Sequence, residues 1–225
     1  MYKFFVLSGA SGAGKTTSLN ALVESGLCEK VPKYSEREER GSSDDIVHVD
    51  NIDTNISCDV IYTMYNNKYG INTNQIKDRL KLKHQITVIS DIMSLIELKK
   101  IFKDDVIIIY ILTDRNIENF VVDYIEKNRI IISQEDKDRL FYLAHKIFNA
   151  TEKYKWQELD DLINLLTNEF QHVIEKCDDF IIRYSNFVVS HQIYVNNKTL
   201  FDYLVHSYKG ACRLNQCIDI IKLYS

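Results

Sequence analysis

Gly9-Ala10-Ser11-Gly12-Ala13-Gly14-Lys15-Thr16 is the stretch from which the rest of the chain is read. It satisfies the phosphate-loop pattern G-x-x-x-x-G-K-[ST] at every fixed position. A run this poor in side chains lets successive backbone N–H groups turn inward on a phosphate, while Lys15 supplies a point charge and the Thr16 hydroxyl reaches Mg²⁺. The flanks have the required order. Lys3 to Ser8 is a short apolar run suited to a buried strand, and Thr16 to Ser25 places Leu19, Leu22 and Val23 on one helical face that ends at Gly26. Of seven glycines in the chain, three lie in this loop, so the match is not a by-product of a glycine-rich composition.

With 225 residues, the chain can bury a sizeable core, and its length points to a single domain spanning 1–225. A net charge of −4 argues against a general nucleic-acid binder, whose phosphate contacts need clustered Lys and Arg. Cys28, Cys58, Cys177, Cys212 and Cys217 are odd in number, scattered and free of any C-x-x-C pair, which points to reduced thiols and a cytoplasmic setting. The apolar run from Phe4 to Leu7 is too short for the core of a secretion signal, and Val106 to Leu112 is too short to cross a bilayer. The six histidines show no metal-ligand spacing. Without a basic surplus, the fourteen tyrosines read as core and interface residues.

Further along, Val31 to Gly41 holds the only proline and a tight alternation of charge. Ser42 to Asp45 reads as a turn, Ile46 to Val49 and Cys58 to Tyr65 as strands, Asn66 to Ile71 as a turn, and Asn74 to Lys83 as a helix. Ile86 to Asp91 and Val106 to Leu112 are apolar enough for strands buried on both faces. Asp91 lies where parallel sheets place ligand chemistry, and it is also placed to cap a helix from Ile92 to Ile101. A helix from about Asn116 to Lys127, a break at Asn128 to Ser133 and a helix from Gln134 to Asn149 follow, then an amphipathic helix from Trp156 to Ile174. Asp179 to Tyr184 and His191 to Asn197 compete for the last core strand, and Cys212 to Tyr224 closes the chain as a helix.

The order of phosphate loop, an Arg-x-x-Arg segment at Arg37 and Arg40, the Tyr69-Gly70 pair, a helix, and a buried strand ending in Asp91 resembles the guanylate kinase family over residues 2 to 150. The resemblance implies a three-layer α/β phosphate-loop NTPase fold with a parallel sheet, an acceptor-binding subdomain over 34–85 and a helical lid over 115–150. Residues 151–187 would then be a helical insertion, and 188–225 would hold the last strand and C-terminal helices. It also implies an ATP- and Mg²⁺-dependent kinase of a phosphorylated small molecule, with no nucleic-acid or membrane partner, as a monomer or homodimer. On that pattern Gly9 to Thr17, including Ser11 and Thr17, cradles ATP. Ser35, Arg37, Arg40, Tyr69 and Asp91 hold the acceptor, Thr16 and Asp91 organise Mg²⁺, and Lys15, Arg129 and Arg139 stabilise the transferring phosphoryl group.

In the family the last strand ends in an asparagine near the adenine. His191 to Asn197 leading into Thr199 to Leu204 fits this better than the earlier segment, and Asn196 is then the adenine-side residue. The chain departs from the family at the glutamate that reads guanine, whose place falls on Val60 beside Asp59. Kinases of ribose 1,5-bisphosphate share the Tyr-Gly-Ile element without the base-reading set, and a non-catalytic guanylate-kinase-like binding module is the reading from a different class. For Arg37 and Arg40 the alternative is a solvated loop, and for Arg129 and Arg139 an exposed helix face.

Overall fold

The computed structural model describes residues 2–10, 12–37, 46–55, 57–64, 67–112, 117–127, 133–151, 184, 187, 193–206 and 210–225. Two compact units divide the chain, Met1–Thr113 with Tyr194–Ser225, and Asp114–Ile193.

The first unit is built on five strands: β1 (Phe4–Gly9), β2 (Glu29–Lys30), β7 (Gln85–Val88), β8 (Val106–Leu112) and β9 (Tyr203–His206). Their order is β2-β7-β1-β8-β9 and every pairing is parallel. The register sets Phe4 beside Val106 and Phe5 beside Ile107. Because side chains alternate along a strand, the central strands must be apolar on both faces, as the continuous runs Phe4 to Leu7 and Val106 to Leu112 are. Phe5, Leu7, Ile107, Ile109 and Ile111 face a layer made by Leu19 and Leu22 of α1 (Lys15–Glu24) and by Cys217 and Ile221 of α7 (Gly210–Lys222). On the opposite face, Phe102 of α4 (Ile92–Phe102) packs on Phe4 with ring centroids 5.2 Å apart. Helix, sheet and helix form the three layers.

Between β2 and β7 the chain builds a second, four-stranded sheet in the order β4-β3-β6-β5, from β3 (Tyr34–Ser35), β4 (Val47–His48), β5 (Val60–Met64) and β6 (Asn67–Ile71). It is mixed, with β3 parallel to β4 and antiparallel to β6. The short α2 (Ile52–Asn55) lies on it, and α3 (Thr73–Arg79) follows, capped by the Asn72 side chain on the Gln75 N–H at 2.9 Å. In the second unit, α5 (Ile117–Lys127) packs on α6 (Gln134–Thr151), and Phe120 sits 5.2 Å from Tyr184 and 4.8 Å from Phe187 between ring centroids. The Ser133 hydroxyl receives the Asp136 N–H at 3.1 Å, which fixes where α6 begins.

Three sequence expectations are corrected here. Of the turn expected over Asn66 to Ile71, the described part, Asn67–Ile71, is strand β6 and pairs with β5 from Met64–Asn67 to Val60–Ile71. Asn67 stands at the start of that strand, and cross-strand pairing overrides its propensity. The helix of Asn74 to Lys83 stops at Arg79 and leaves Leu82 exposed. In its described part, the favoured segment His191 to Asn197 does not form the last core strand. Residues 193–196 are helical, with Tyr194 against Tyr110 and Phe201, and residues 198–200 continue as a 3₁₀ turn. The strand is Tyr203–His206, delivered by Asp202, whose carboxylate takes the Ile108 N–H at 2.7 Å and pairs with Lys99 at 2.7 Å. Asn196 therefore lies exposed in a helical turn, not at a strand end. The turn at Ser42 to Asp45, the helix of Trp156 to Ile174, Cys177 and most of Asp179 to Tyr184 lie outside the described residues.

At the sheet's amino end, His84 is buried between the rings of Tyr2 and Phe5, and its Nδ1 accepts the Lys3 N–H at 2.8 Å. The proton of the neutral ring is thus on Nε2, and burial lowers the histidine below its ordinary value. Below about pH 6.5 the unfolded chain takes a proton that the folded chain refuses, so this contribution to stability is lost as pH falls. The melting temperature is expected to drop between about pH 7 and pH 5.5, and to drop less in His84→Asn, which keeps an acceptor for Lys3 but does not titrate. Calorimetric scans of the two proteins across that interval check it.

Candidate functional site

The loop between β1 and α1 owes its shape to glycine. Gly9, Gly12 and Gly14 have φ of 135°, 78° and 84°, a region where a side chain is strained. At Gly9 an added Cβ would come within 2.3 Å of the Ile111 carbonyl oxygen, because β8 runs directly alongside. Gly14 is the N-cap of α1 in the left-handed conformation, and among the described residues no side chain caps the helix there. At this end of the helix the dipole favours an anion. Ser11 lies outside the described residues.

Lys15 folds its ammonium back over the loop, donating to the carbonyls of Gly9 at 2.8 Å and Ala10 at 2.6 Å. Thr16 is half-buried and Thr17 exposed. Ser90 donates to the same Gly9 carbonyl at 3.2 Å, which ties the carboxyl end of β7 to the loop. Asp91 caps α4, its Oδ2 accepting from both the Ser94 N–H and hydroxyl at 2.7 Å. The capping reading of the sequence is the one observed.

In the second sheet Ser35 is fully buried, and its hydroxyl donates to the Lys68 carbonyl at 2.8 Å while accepting the Arg37 N–H at 3.2 Å. The Arg37 carbonyl receives the His48 ring at Nδ1, 2.7 Å away. Both ends of the Arg37 backbone unit are therefore fixed, and its side chain is half-buried. Tyr69 lies beside Ser35 in the register and stacks on Tyr62, with ring centroids 5.2 Å apart and planes 13° from parallel. The strand period places Ser35, His48, Tyr62 and Tyr69 on one face. Arg40 is outside the described residues.

Val60, at the position where the resembling family carries its guanine-reading glutamate, is fully buried. Neighbouring Asp59 is occupied by Thr73, accepting its N–H at 2.7 Å and its hydroxyl. Gly70, second residue of the Tyr-Gly pair, is fixed by packing, since a Cβ there would meet the Cys58 sulfur at 2.7 Å.

A solved structure resembles this arrangement in fold. The crystal structure of guanylate kinase from Anaplasma phagocytophilum is similar over 99% of this chain and 86% of that chain, with a TM-score of 0.55 and 15% sequence identity. The likeness is one of fold. No protein-family model matches the chain, and no curated protein matches it in sequence.

Sequence reasoning missed several neighbours of these residues. Lys33 is buried, at 6% exposure, and donates to the Val88 carbonyl at the carboxyl end of β7 at 2.9 Å. A lone lysine in Val-Pro-Lys-Tyr carries no pattern, although a cation between apolar residues and the sheet is its only trace. His48 and Tyr62 enter through cross-strand pairing alone. Arg213 of α7 reaches back across the chain to the loop, donating from Nε to the Ser18 hydroxyl at 2.9 Å and from Nη1 to the Ala13 carbonyl at 3.2 Å.

In the second unit, Arg139 is exposed and pairs with Glu135 one helical turn earlier at 2.7 Å. Such a pair contributes about 0.3–0.5 kcal/mol to its helix. Arg129 is outside the described residues. Among the described residues there is no group of three or more His, Cys, Asp or Glu able to hold a metal, and no helix long and apolar enough to cross a membrane.

Cys28, Cys58, Cys212 and Cys217 are free thiols. Burial pushes Cys28 up to about 12 and Cys217 to about 11, so neither is a nucleophile near neutral pH.

Proposed function

We propose that this chain is an ATP- and Mg²⁺-dependent kinase that transfers the γ-phosphoryl group to an already phosphorylated small molecule, most simply a nucleoside monophosphate. One observation carries the reading. The uncapped, glycine-shaped loop with the Lys15 ammonium at its carbonyls shares a unit with Arg37, whose backbone is held in place by Ser35 and His48. The loop suits a polyphosphate, because its glycines take the positive φ that such a turn needs and a helix N-terminus follows it. Mg²⁺ also suits the residues present. This ion keeps several waters and takes few protein ligands, so the Thr16 hydroxyl and Asp91 would suffice alongside phosphate oxygens.

Lys15 would leave its two carbonyls for the β/γ-phosphates, and bound Mg²⁺ would neutralise charge between them. Arg37 and Arg40, with Ser35 and Tyr69, would hold the acceptor phosphate, while Arg129 and Arg139 would close over the donor. Transfer of this kind is mainly positioning and charge stabilisation, so no separate protein nucleophile is needed. Buried Val60 and the engagement of Asp59 with Thr73 favour an acceptor other than GMP, and ribose 1,5-bisphosphate is the second reading.

A panel of AMP, GMP, dTMP and ribose 1,5-bisphosphate with ATP and Mg²⁺ tests the reaction and names the acceptor. Absence of turnover on all acceptors by protein that binds ATP would favour the non-catalytic module. With the acceptor in hand, Arg37→Ala is expected to raise its KM about ten- to a hundredfold by removing charge-assisted hydrogen bonds, while ATP affinity and melting temperature stay near wild type. Wild-type kinetics in that variant would remove Arg37 from the acceptor site.

A further inference from the structure

Arg213 stands 195 residues from Ser18 in sequence and yet its guanidinium lies against the phosphate loop. Its Nη1, Cζ and Nη2 atoms come within 2.2, 2.3 and 2.7 Å of the point that a Cβ on Gly14 would occupy. Nη1 donates to the Ala13 carbonyl at 3.2 Å, and Nε, on the same rigid plane, donates to the Ser18 hydroxyl at 2.9 Å. The peptide joining Ala13 to Gly14 is trans, so its C=O and N–H point in opposite directions. A guanidinium that holds the carbonyl toward α7 therefore turns the Gly14 N–H away from α7. A cation on the carbonyl also polarises the peptide and makes that N–H a better donor to an anion.

We infer that Arg213 is a positioning residue of the nucleotide site: it fixes the Ala13–Gly14 peptide so that the Gly14 N–H is presented to a phosphate of the bound polyphosphate. The inference rests on the loop being a nucleotide site, as proposed above. It bears on Gly14 in two ways, since the position has φ of 84° and a side chain there would displace the guanidinium. Lysine cannot replace the arginine here, because one ammonium does not reproduce two donors set at a fixed spacing on a plane.

Titration calorimetry with ATP·Mg²⁺ and with inorganic tripolyphosphate compares wild type, Arg213→Ala and Arg213→Lys. The alanine variant is expected to bind both ligands about ten- to a hundredfold more weakly, and the lysine variant to recover only part of the loss. Equal losses for the two ligands place the effect on the phosphates and not on the base. Seven glycines make glycine-selective ¹⁵N labelling tractable, and the Gly14 amide is expected to shift on adding tripolyphosphate in wild type and to shift less in Arg213→Lys, even if the alanine variant does not fold. A melting temperature that falls while both affinities stay within about threefold would show a merely structural contact and overturn the inference, leaving the kinase reading intact. Full recovery by lysine would assign the effect to charge and overturn the positioning role. No binding of either ligand by wild type would overturn the kinase reading and this inference together.

Discussion

Replacement of Lys15 by alanine is expected to lower turnover roughly a thousandfold or more, the loss that follows from removing a preorganised donor and a full charge from a site of phosphoryl transfer. The side chain is half-buried and its ammonium bonds to the Gly9 and Ala10 carbonyls of its own loop at 2.8 and 2.6 Å, which water can satisfy once it is gone. The fold should therefore survive, with a melting temperature within a few degrees of wild type, and the defect should appear in kcat and in ATP affinity. Acceptor affinity should hold, since Ser35 and Arg37 are anchored through Lys68 and His48 and not through the loop. Single-turnover kinetics with the acceptor found by the panel provides the measurement. A variant with wild-type turnover would show that the loop serves binding without catalysis.

The second large effect concerns stability. Gly9→Ala would drive a Cβ to 2.3 Å from the Ile111 carbonyl oxygen and 3.2 Å from its carbon, both backbone atoms of the neighbouring central strand. Neither can rotate away as a side chain would. Relief requires β1 and β8 to separate where they pair from Phe4–Val106 through Gly9–Ile111, and φ of 135° adds backbone strain. A cost of about 3–5 kcal/mol follows, which for a chain of this size lowers the melting temperature by roughly 10 °C or more. Gly26→Ala isolates the strain component. Gly26 also has positive φ, at 75°, but nothing lies within 4 Å of its Cβ position, so about 1–2 kcal/mol is expected there. Equal destabilisation of the two variants would mean that backbone strain, and not the approach of β8, makes Gly9 necessary.

The two effects fall on one loop for one physical reason. The glycine turn brings the end of β1 close to β8 and the start of α1 close to Arg213 of α7, so a Cβ at Gly9 meets the Ile111 backbone and one at Gly14 meets the Arg213 guanidinium. The proposed catalytic requirement and the structural one share this loop but differ in readout, since the Lys15 ammonium bonds to loop carbonyls while a side chain at Gly9 would meet the next strand.

The sequence alone determined what depends on local pattern. The phosphate loop, its flanking strand and helix, the buried strands at Ile86 and Val106, the cap at Asp91 and the final helix all follow from spacing, apolar periodicity and punctuation that neighbouring residues share. The tertiary structure alone decided what depends on partners distant in the chain. Tyr203–His206 is a strand because β8 offers it an edge and Asp202 fastens it to Ile108 and Lys99, whereas the more strand-like His191 to Val195 run finds an aromatic cluster at Tyr110 and becomes helical in part. Asn67–Ile71 is a strand because β5 and β3 flank it, against the turn propensity of its asparagine. Lys33, His48 and Arg213 carry no local signature, and contacts between residues distant in the chain set them at the end of β7, beside Arg37 and beside the loop respectively. Hydrogen bonding and burial at such positions are fixed by packing across the sheet, and periodicity along one segment holds no record of which segment will lie opposite it.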